Sequence, residues 1–275
     1  MLFAIRAQRS LTTLCASLLI GLSSPTVAED RFANLAELDV LDGGWTSRGT
    51  YQAALRVRLA EGWKTYWRSP GDAGIPPRVS WKGSRNVGQV MFTWPTPDVF
   101  DTAGLRTLGY HDEMILPVEI TAERPGAPLR LRGEMQLGVC KEVCIPTELA
   151  FTHRPNPEAT RNPVIAAALA ARPFSAEEAG VTAATCRLEP GAYGLKVEAR
   201  VTMPSAGGSE IAVIESGSTD IVAGETTAER SGGQIIARTE LFSLDDGPLA
   251  IDRSDLRITI LGRNRTVDIR GCTAG

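Results

Sequence analysis

Histidine is nearly missing from this chain of 275 residues, with two copies, and cysteine is scarce, with five. His111 and His153 alone leave little room for imidazole catalysis or a histidine-built metal centre. An excess of either charge is also lacking. The 29 basic and 32 acidic residues give a net charge of −3, which makes no electrostatic case for nucleic acid or an anionic membrane. Beyond the first two dozen residues no run approaches 18 consecutive apolar residues, so no later segment reads as a membrane span. There is no Ser/His/Asp arrangement, phosphate-cradling glycine loop or glycosidase signature.

What is present begins with an export signal. Arg6 and Arg9 form a basic n-region, Leu11 to Leu22 an apolar stretch too short to span a bilayer, and Thr26-Val27-Ala28 a small-residue cleavage site. Residues 1–28 are therefore expected to be a cleaved signal peptide. Cys15 follows Leu14, where a lipoprotein box needs a small residue, so no lipid anchor is expected. Losing Arg6 and Arg9 makes the mature chain two charges more acidic, and losing Cys15 leaves Cys140, Cys144, Cys186 and Cys272. An even cysteine count in an exported chain points to disulfides in an oxidising compartment. The mature protein is expected to be soluble and not membrane-spanning.

The remaining pattern is β. Tyr51–Leu59 alternates Leu55, Val57 and Leu59 with arginines, the period-2 signature of a half-buried antiparallel strand. Leu129–Leu137 repeats it just before the first cysteine, and Ile115–Ile120 reads as a strand with Pro117 at an edge or a strand start. Gly62–Pro77 and Trp94–Asp101 read as aromatic- and proline-rich loops. Trp63, Trp67, Trp81 and Trp94 are ordinary core candidates, with Trp94 or Phe100 the alternative choice for a cover over the cysteines. Asn162–Pro173 is the one helix pattern of the mature chain, capped by Asn162, started by Pro163 and stopped by Pro173. It reads as a linker element. Beyond it, Gly194–Val201, Ile211–Glu215, Gln234–Arg238 and Leu256–Leu261 suggest a second small β-sandwich. The expected organisation is a first domain over 29–158, a helical linker over 159–174 and a second domain over 175–275.

The cysteines divide into two pairs of different character. Positions i and i+4 on an extended strand lie about 13 Å apart, beyond the ~7 Å Cα limit of a disulfide, so bridging Cys140 to Cys144 requires the chain to turn between them. So tight a loop constrains little unfolded-state entropy, which suits an exchangeable bond. Lys141 favours a thiolate there and Glu142 opposes one. Cys186 is expected to precede the first strand of the second domain and Cys272 to follow its last. A bridge between them would close a long loop, on the order of 4–5 kcal/mol in the chain-entropy model, and reads as structural. Crossed pairing, a purely structural Cys140–Cys144 bond, and a Cu(I) site using His111, Met114, Met135 or His153 stay open as alternatives. No zinc module is matched, and neither a metal nor a cofactor is assigned.

GWKTYWRSPGDAGIPP at 62–77, Trp94-Pro95, Leu108-Gly109-Tyr110, Ile115-Leu116-Pro117-Val118 and the cysteine loop ending in Cys144-Ile145-Pro146 together resemble the periplasmic amino-terminal module of the DsbD/ScsB disulfide reductases. The resemblance covers roughly residues 38–155. It implies that the first module is an immunoglobulin-like β-sandwich; with the linker and second β-sandwich read above, the expected fold is all-β, two immunoglobulin-like sandwiches joined by a short helical linker, the second resembling the extra β-domain of ScsB-like members only in a general way. It further implies a periplasmic relay that takes reducing equivalents from a thioredoxin-like dithiol, charged by a membrane DsbD/CcdA-like electron transporter, and passes them to oxidised periplasmic thiol proteins. By the same resemblance Cys144 engages partners, Cys140 resolves, and Pro95–Thr107 matches the cap loop, with Trp94, Phe100 and Asp101 as its candidate residues. The sequence departs from the pattern in two ways. Three residues separate the cysteines where well-known DsbD members have five, and the chain has neither the multi-span membrane domain nor a C-x-x-C.

Overall fold

The computed structural model describes residues 34–275 except 72, 103 and 246–248, and of Thr102 the backbone alone. The signal-peptide expectation over 1–28 lies outside the described residues. From Asn34 onward the chain forms one compact unit.

Two pairs of sheets make up that unit. In the first, β1 (Ala36–Trp45), β2 (Tyr51–Leu59), β8 (Glu113–Ala122) and β5 (Val87–Phe92) form one layer in the order β1-β2-β8-β5. Facing it is a layer ordered β10-β9-β3-β7-β6, made of β3 (Lys64–Gly71), β6 (Asp98–Thr102), β7 (Leu105–His111), β9 (Leu131–Cys140) and β10 (Cys144–His153). Short β4 (Arg78–Ser80) pairs β9 further along. Alternation sets which side chains meet between the layers. Leu55 and Val57 of β2, Leu116 and Val118 of β8, and Leu131, Met135, Leu137 and Val139 of β9 are all buried, with Trp67 among them. Trp63, Trp81 and Trp94 pack against the same core from its margin.

The helix α1 (Pro163–Ala170) follows, with the Asn162 side chain accepting from the Val164 and Ile165 amides as its cap. Asp42 ties the connection to the first sandwich, because its Oδ1 accepts from the Asn156 amide as well as the Tyr51 hydroxyl and bonds His153 Nε2, and its carbonyl accepts from Asn162 Nδ2. The second pair of sheets comprises β11 (Phe174–Ser175), β14 (Ile211–Glu215), β18 (Arg257–Leu261) and β19 (Thr266–Arg270) in the order β11-β19-β18-β14. Opposite lie β12 (Ala183–Pro190), β13 (Leu195–Thr202), β15 (Ile221–Ala223), β17 (Gln234–Ser243) and β20 (Thr273–Ala274) in the order β15-β17-β13-β12-β20, with β16 (Thr227–Ser231) also on β17. The protein is thus all-β, two immunoglobulin-like sandwiches joined by a short helical connection. Leu261, Ile211 and Val213 of the second sandwich pack against the first core.

Four local expectations are corrected. Gly62–Pro77 is not a loop throughout, since β3 runs through it to Gly71 with an irregularity between Tyr66 and Gly71 that absorbs Pro70. Trp94–Asp101 is likewise half strand, because Asp98 opens β6 and pairs Gly109. Pro117 sits in the middle of β8 in an interior position, opposite Ala54. Its carbonyl accepts from Thr93 N, so its peptide edge faces the β5 side just where β5 has ended at Phe92, and the missing N–H breaks no rung. Cys186 lies inside β12 and not before it, and β20 follows Cys272, with Cys186 opposite Ala274.

Candidate functional site

Cys140 closes β9 and Cys144 opens β10, and the two are cross-strand partners in the hairpin register. Lys141-Glu142-Val143 makes the turn, with Lys141 N donating to Val143 O. The pairing brings the two Cα atoms to 4.1 Å and the sulfurs form a disulfide. The two half-cystines differ sharply in access. Cys140 is 1% exposed, whereas Cys144 lies open on the surface beside Glu142 and Val143.

Register places a row of side chains on one face of the sheet. Cys144 stands opposite Cys140, Cys140 opposite Lys64, and Lys64 opposite His111. Two residues along the strands, on the same face, Tyr66 stands opposite Gly109 of β7. A Cβ at Gly109 would come within 2.0 Å of the Thr65 carbonyl oxygen, and one at Gly138 within 3.1 Å of the Tyr66 ring and 2.9 Å of Ile75. The Tyr66 ring therefore lies in space left by Gly138, and its hydroxyl comes to 3.0 Å from Cys144 Sγ. A disulfide sulfur carries no proton, so the hydroxyl donates. Burial pushes the Tyr66 phenol up, which keeps that donor protonated at neutral pH.

The Lys64 ammonium hangs over the Phe100 ring, 4.5 Å from its centroid, and donates to Thr107 Oγ1 at 3.2 Å. Burial lowers its pKa. His111 lies edge-on to Phe100, bonds Asp112 Oδ2 at 2.8 Å and lies 3.4 Å from Asp98. Those carboxylates raise its pKa, the bonded Asp112 most.

The residues read as a cap from sequence are dispersed. Phe100 reaches the cysteine row through Lys64. Asp101 pairs with Arg106 across the β6–β7 hairpin on its exposed side. Trp94 packs against the first core, tilted toward Phe92, where it lines a groove with Arg172, Arg257 and Arg270. Sequence reasoning missed Tyr66 and Lys64. Their signal was the alternation Lys64-Thr65-Tyr66-Trp67 inside an assumed loop, which puts Thr65 and Trp67 in the core and leaves Lys64 and Tyr66 for the outer face.

The proposed copper ligands do not converge. Met114 and Met135 are fully buried in the core, and Met135, an odd number of steps from Cys140 on β9, points to the other face of the sheet. His153 is at the far end of β10, bonded to Asp42. Only His111 shares the cysteine face, with Lys64 between. Among the described residues no cluster of three or more His, Cys, Asp or Glu side chains is placed to hold a metal.

The second disulfide, Cys186–Cys272, joins partners 86 positions apart, with Cys186 fully buried. Between the sandwiches, Arg68 of β3 stacks on Trp67 and bonds Glu215 of β14 and Thr259 of β18. It also lies 3.5 Å from Asp268.

A β-sandwich that presents one open and one buried half-cystine at a hairpin tip defines the structural class of this site. Residues 39–154 match the family model of the N-terminal domain of the thiol:disulfide interchange protein DsbD, and this stretch is a DsbD N-terminal-domain-like module. No curated protein matches the chain in sequence. Among solved structures, the N-terminal periplasmic domain of ScsB from Proteus mirabilis superposes with a TM-score of 0.66 at 20% identity, covering 88% of this chain and 95% of that one. At that identity the likeness speaks for the fold, and its coverage extends over both sandwiches. The N-terminal domain of Neisseria meningitidis DsbD in the reduced form aligns at 25% identity over 44% of this chain and 84% of its own, with a TM-score of 0.25. Among the described residues no helix is long and apolar enough to cross a membrane.

Proposed function

We propose that Cys140–Cys144 is a redox-active disulfide, and that the protein relays reducing equivalents between periplasmic thiol proteins. In this reading the signal peptide delivers residues 29–275 to the periplasm. Residues 29–158 form the redox domain, 159–174 the linker and 175–275 a second domain clipped by Cys186–Cys272. A thioredoxin-like dithiol, kept reduced by a membrane DsbD/CcdA-like electron transporter, supplies the electrons, and oxidised periplasmic thiol proteins receive them. The chemistry needs no bound cofactor.

The observation that carries the reading is the difference in access between the sulfurs. A partner thiolate must approach along the S–S axis, and of the two half-cystines only Cys144 is an exposed residue. Attack there forms a partner–Cys144 bond and breaks Cys140–Cys144, leaving the electron pair on Cys140. The partner's second thiolate then attacks its own sulfur in the mixed disulfide, which releases Cys144 as a thiolate and the partner oxidised. In the forward direction the Cys144 thiolate attacks a substrate disulfide, and Cys140 resolves the product. The DsbD-like match over residues 39–154 and the ScsB-like fold support this assignment.

Trapping tests it. The Cys140→Ser variant should accumulate a mixed disulfide from Cys144 to a thioredoxin-like protein, identifiable by mass spectrometry, while Cys144→Ser should form none. A Cys144→Ser protein that exchanges at the parent rate would overturn the assignment. A reduction potential for the pair below about −300 mV would favour a binding or assembly module with two structural disulfides.

A further inference from the structure

Opening the disulfide at Cys144 creates a charge that the fold must accommodate. The departing sulfur belongs to Cys140, which is 1% exposed, and a buried thiolate is strongly disfavoured without a cation or hydrogen-bond donor beside it. We propose that Lys64 is the residue that receives this charge, its ammonium swinging from Phe100 to the Cys140 thiolate as the S–S bond breaks. The inference rests on the exchange reading above.

Position is the first support. Lys64 and Cys140 are directly opposed on β3 and β9, an arrangement that sets Cβ atoms about 4.5–5.5 Å apart on one face. A four-carbon flexible stem lets an ammonium based there sweep across that distance. The second support is how the ammonium is held while the disulfide is closed. Its partners are the Phe100 ring face at 4.5 Å, the Tyr66 ring at 6.0 Å and the Thr107 hydroxyl at 3.2 Å, all of them neutral, and among the described residues no carboxylate is ion-paired with it. A partly desolvated cation held only by neutral groups gains more from a newly formed anion than one already paired.

Other cations nearby are less suited. Lys141 is exposed in the turn, and its ammonium lies back over Gly62. His111, on the far side of Lys64, is engaged by Asp98 and Asp112. The charged groups around Lys64 are thus His111 with Asp98 and Asp112 on the β6–β7 side, and Lys141 and Glu142 at the hairpin tip. None of them stands opposite Cys140 in the ladder.

The step balances without another reactant. The incoming thiolate contributes the pair that forms its bond to Cys144, the Cys140–Cys144 pair stays on Cys140, and the ammonium keeps its protons and pairs with the new anion. When the Cys140 thiolate re-forms the disulfide by attacking Cys144 Sγ, the charge leaves on the departing partner thiolate and the ammonium returns to Phe100.

The test uses the full mature chain. In a Cys144→Ser background, thiolate absorbance reports the titration of Cys140. Lys64→Met should raise its midpoint by about one pH unit, and Lys64→Arg should restore most of the shift. In the otherwise unaltered protein, Lys64→Met should slow opening of the pair by dithiothreitol about tenfold, while Lys141→Met leaves it within twofold. Lys64→Gln gives a second neutral side chain should the methionine variant fold poorly. Unchanged midpoint and rate in folded Lys64→Met or Lys64→Gln would overturn the role of Lys64, while the parent's reactivity would leave the exchange reading standing. A parent pair that dithiothreitol does not open would overturn both.

Discussion

The two disulfides of this protein join chain segments in opposite ways. Cys140 and Cys144 are four positions apart and bridge neighbouring strands that the hairpin already holds together. Cys186 and Cys272 are 86 positions apart and fasten the start of the second sandwich to the end of the chain, where β20 pairs β12. In the chain-entropy model the short loop contributes about 2 kcal/mol and the long one between about 4 and 5. Access divides them the same way. Each bridge has one buried half-cystine, Cys140 or Cys186, but the partner is exposed in the short bridge, at Cys144, and half-buried in the long one, at Cys272. Placement in the fold thus separates a bond suited to exchange from one suited to stability.

The most forceful way to break that comparison is to remove each bridge in turn. Replacing Cys186 and Cys272 together by serine should lower unfolding free energy by about 4 kcal/mol while thiol exchange at Cys144 stays within a few-fold. Replacing Cys140 and Cys144 together should abolish exchange and cost no more than about 2 kcal/mol. Urea unfolding and a dithiol exchange assay, run on both double variants, read the crossing directly. If the stability losses came out equal, the division of labour between the bridges would fail.

Much of the fold was legible because alternation survives wherever a strand has one wet face. β2, β9, β13 and β14 lie within a residue or two of where the apolar period placed them, apart from C-terminal extensions such as that of β9 into the cysteine itself. The Asn162–Pro163 helix start was equally local, a side-chain cap followed by a ring that needs no N–H. What escaped depends on partners distant in sequence. Strand β3 was hidden because Pro70 and three nearby glycines look like loop, and only the irregular register against β7 accommodates them. The contact of Tyr66 with Cys144 needs Gly138, 72 positions later, to leave room for its ring. The role of Pro117 was misjudged because the end of its β5 partner is not written near it. The cysteine pairing itself was readable, whereas the side chains that serve it required the sheet register.

The ion cluster between the sandwiches gives a sharper test of how separate the two regions are. Asp268 on β19 accepts from Arg257 at 2.5 and 2.8 Å, and it lies 3.5 Å from Arg68, which sits two residues beyond Tyr66 on β3. Burial alone would raise the Asp268 pKa, but the Arg257 hydrogen bonds and the charges of Arg257, Arg68 and Arg270 outweigh it and hold the carboxyl below its ordinary 3.8. A depressed folded-state pKa contributes stability that is fully present above 3.8 and disappears as pH falls through the folded value. Asp268→Asn should therefore cost about 3 kcal/mol at pH 7, where it leaves the largely buried Arg257 guanidinium without its carboxylate, and progressively less below pH 3.8. Urea midpoints for the parent and variant should converge toward acid. A gap independent of pH would show that the carboxylate's charge is not what joins the sandwiches.

The smallest expected effect distinguishes the exposed half-cystine of the short bridge from the long bridge. Tyr66 is 2% exposed, and its hydroxyl is directed at Cys144 from space that Gly138 leaves vacant. Toward a neutral disulfide sulfur, a weak acceptor, that bond is worth little. Toward the thiolate left when Cys144 is reduced, a charge-assisted bond of about 1.5 kcal/mol amounts to roughly one pK unit. Tyr66→Phe keeps the ring that fills the space over Gly138 and removes only the donor. Its thermal stability should hardly change, while the alkylation midpoint of reduced Cys144 should rise by about one pH unit and exchange at neutral pH should slow a few-fold. The stability of Cys186–Cys272 toward reductant should stay at the parent value in the same variant. A Tyr66→Phe protein with an unshifted Cys144 midpoint would mean that access alone distinguishes the two bridges, and that the tyrosine is packing.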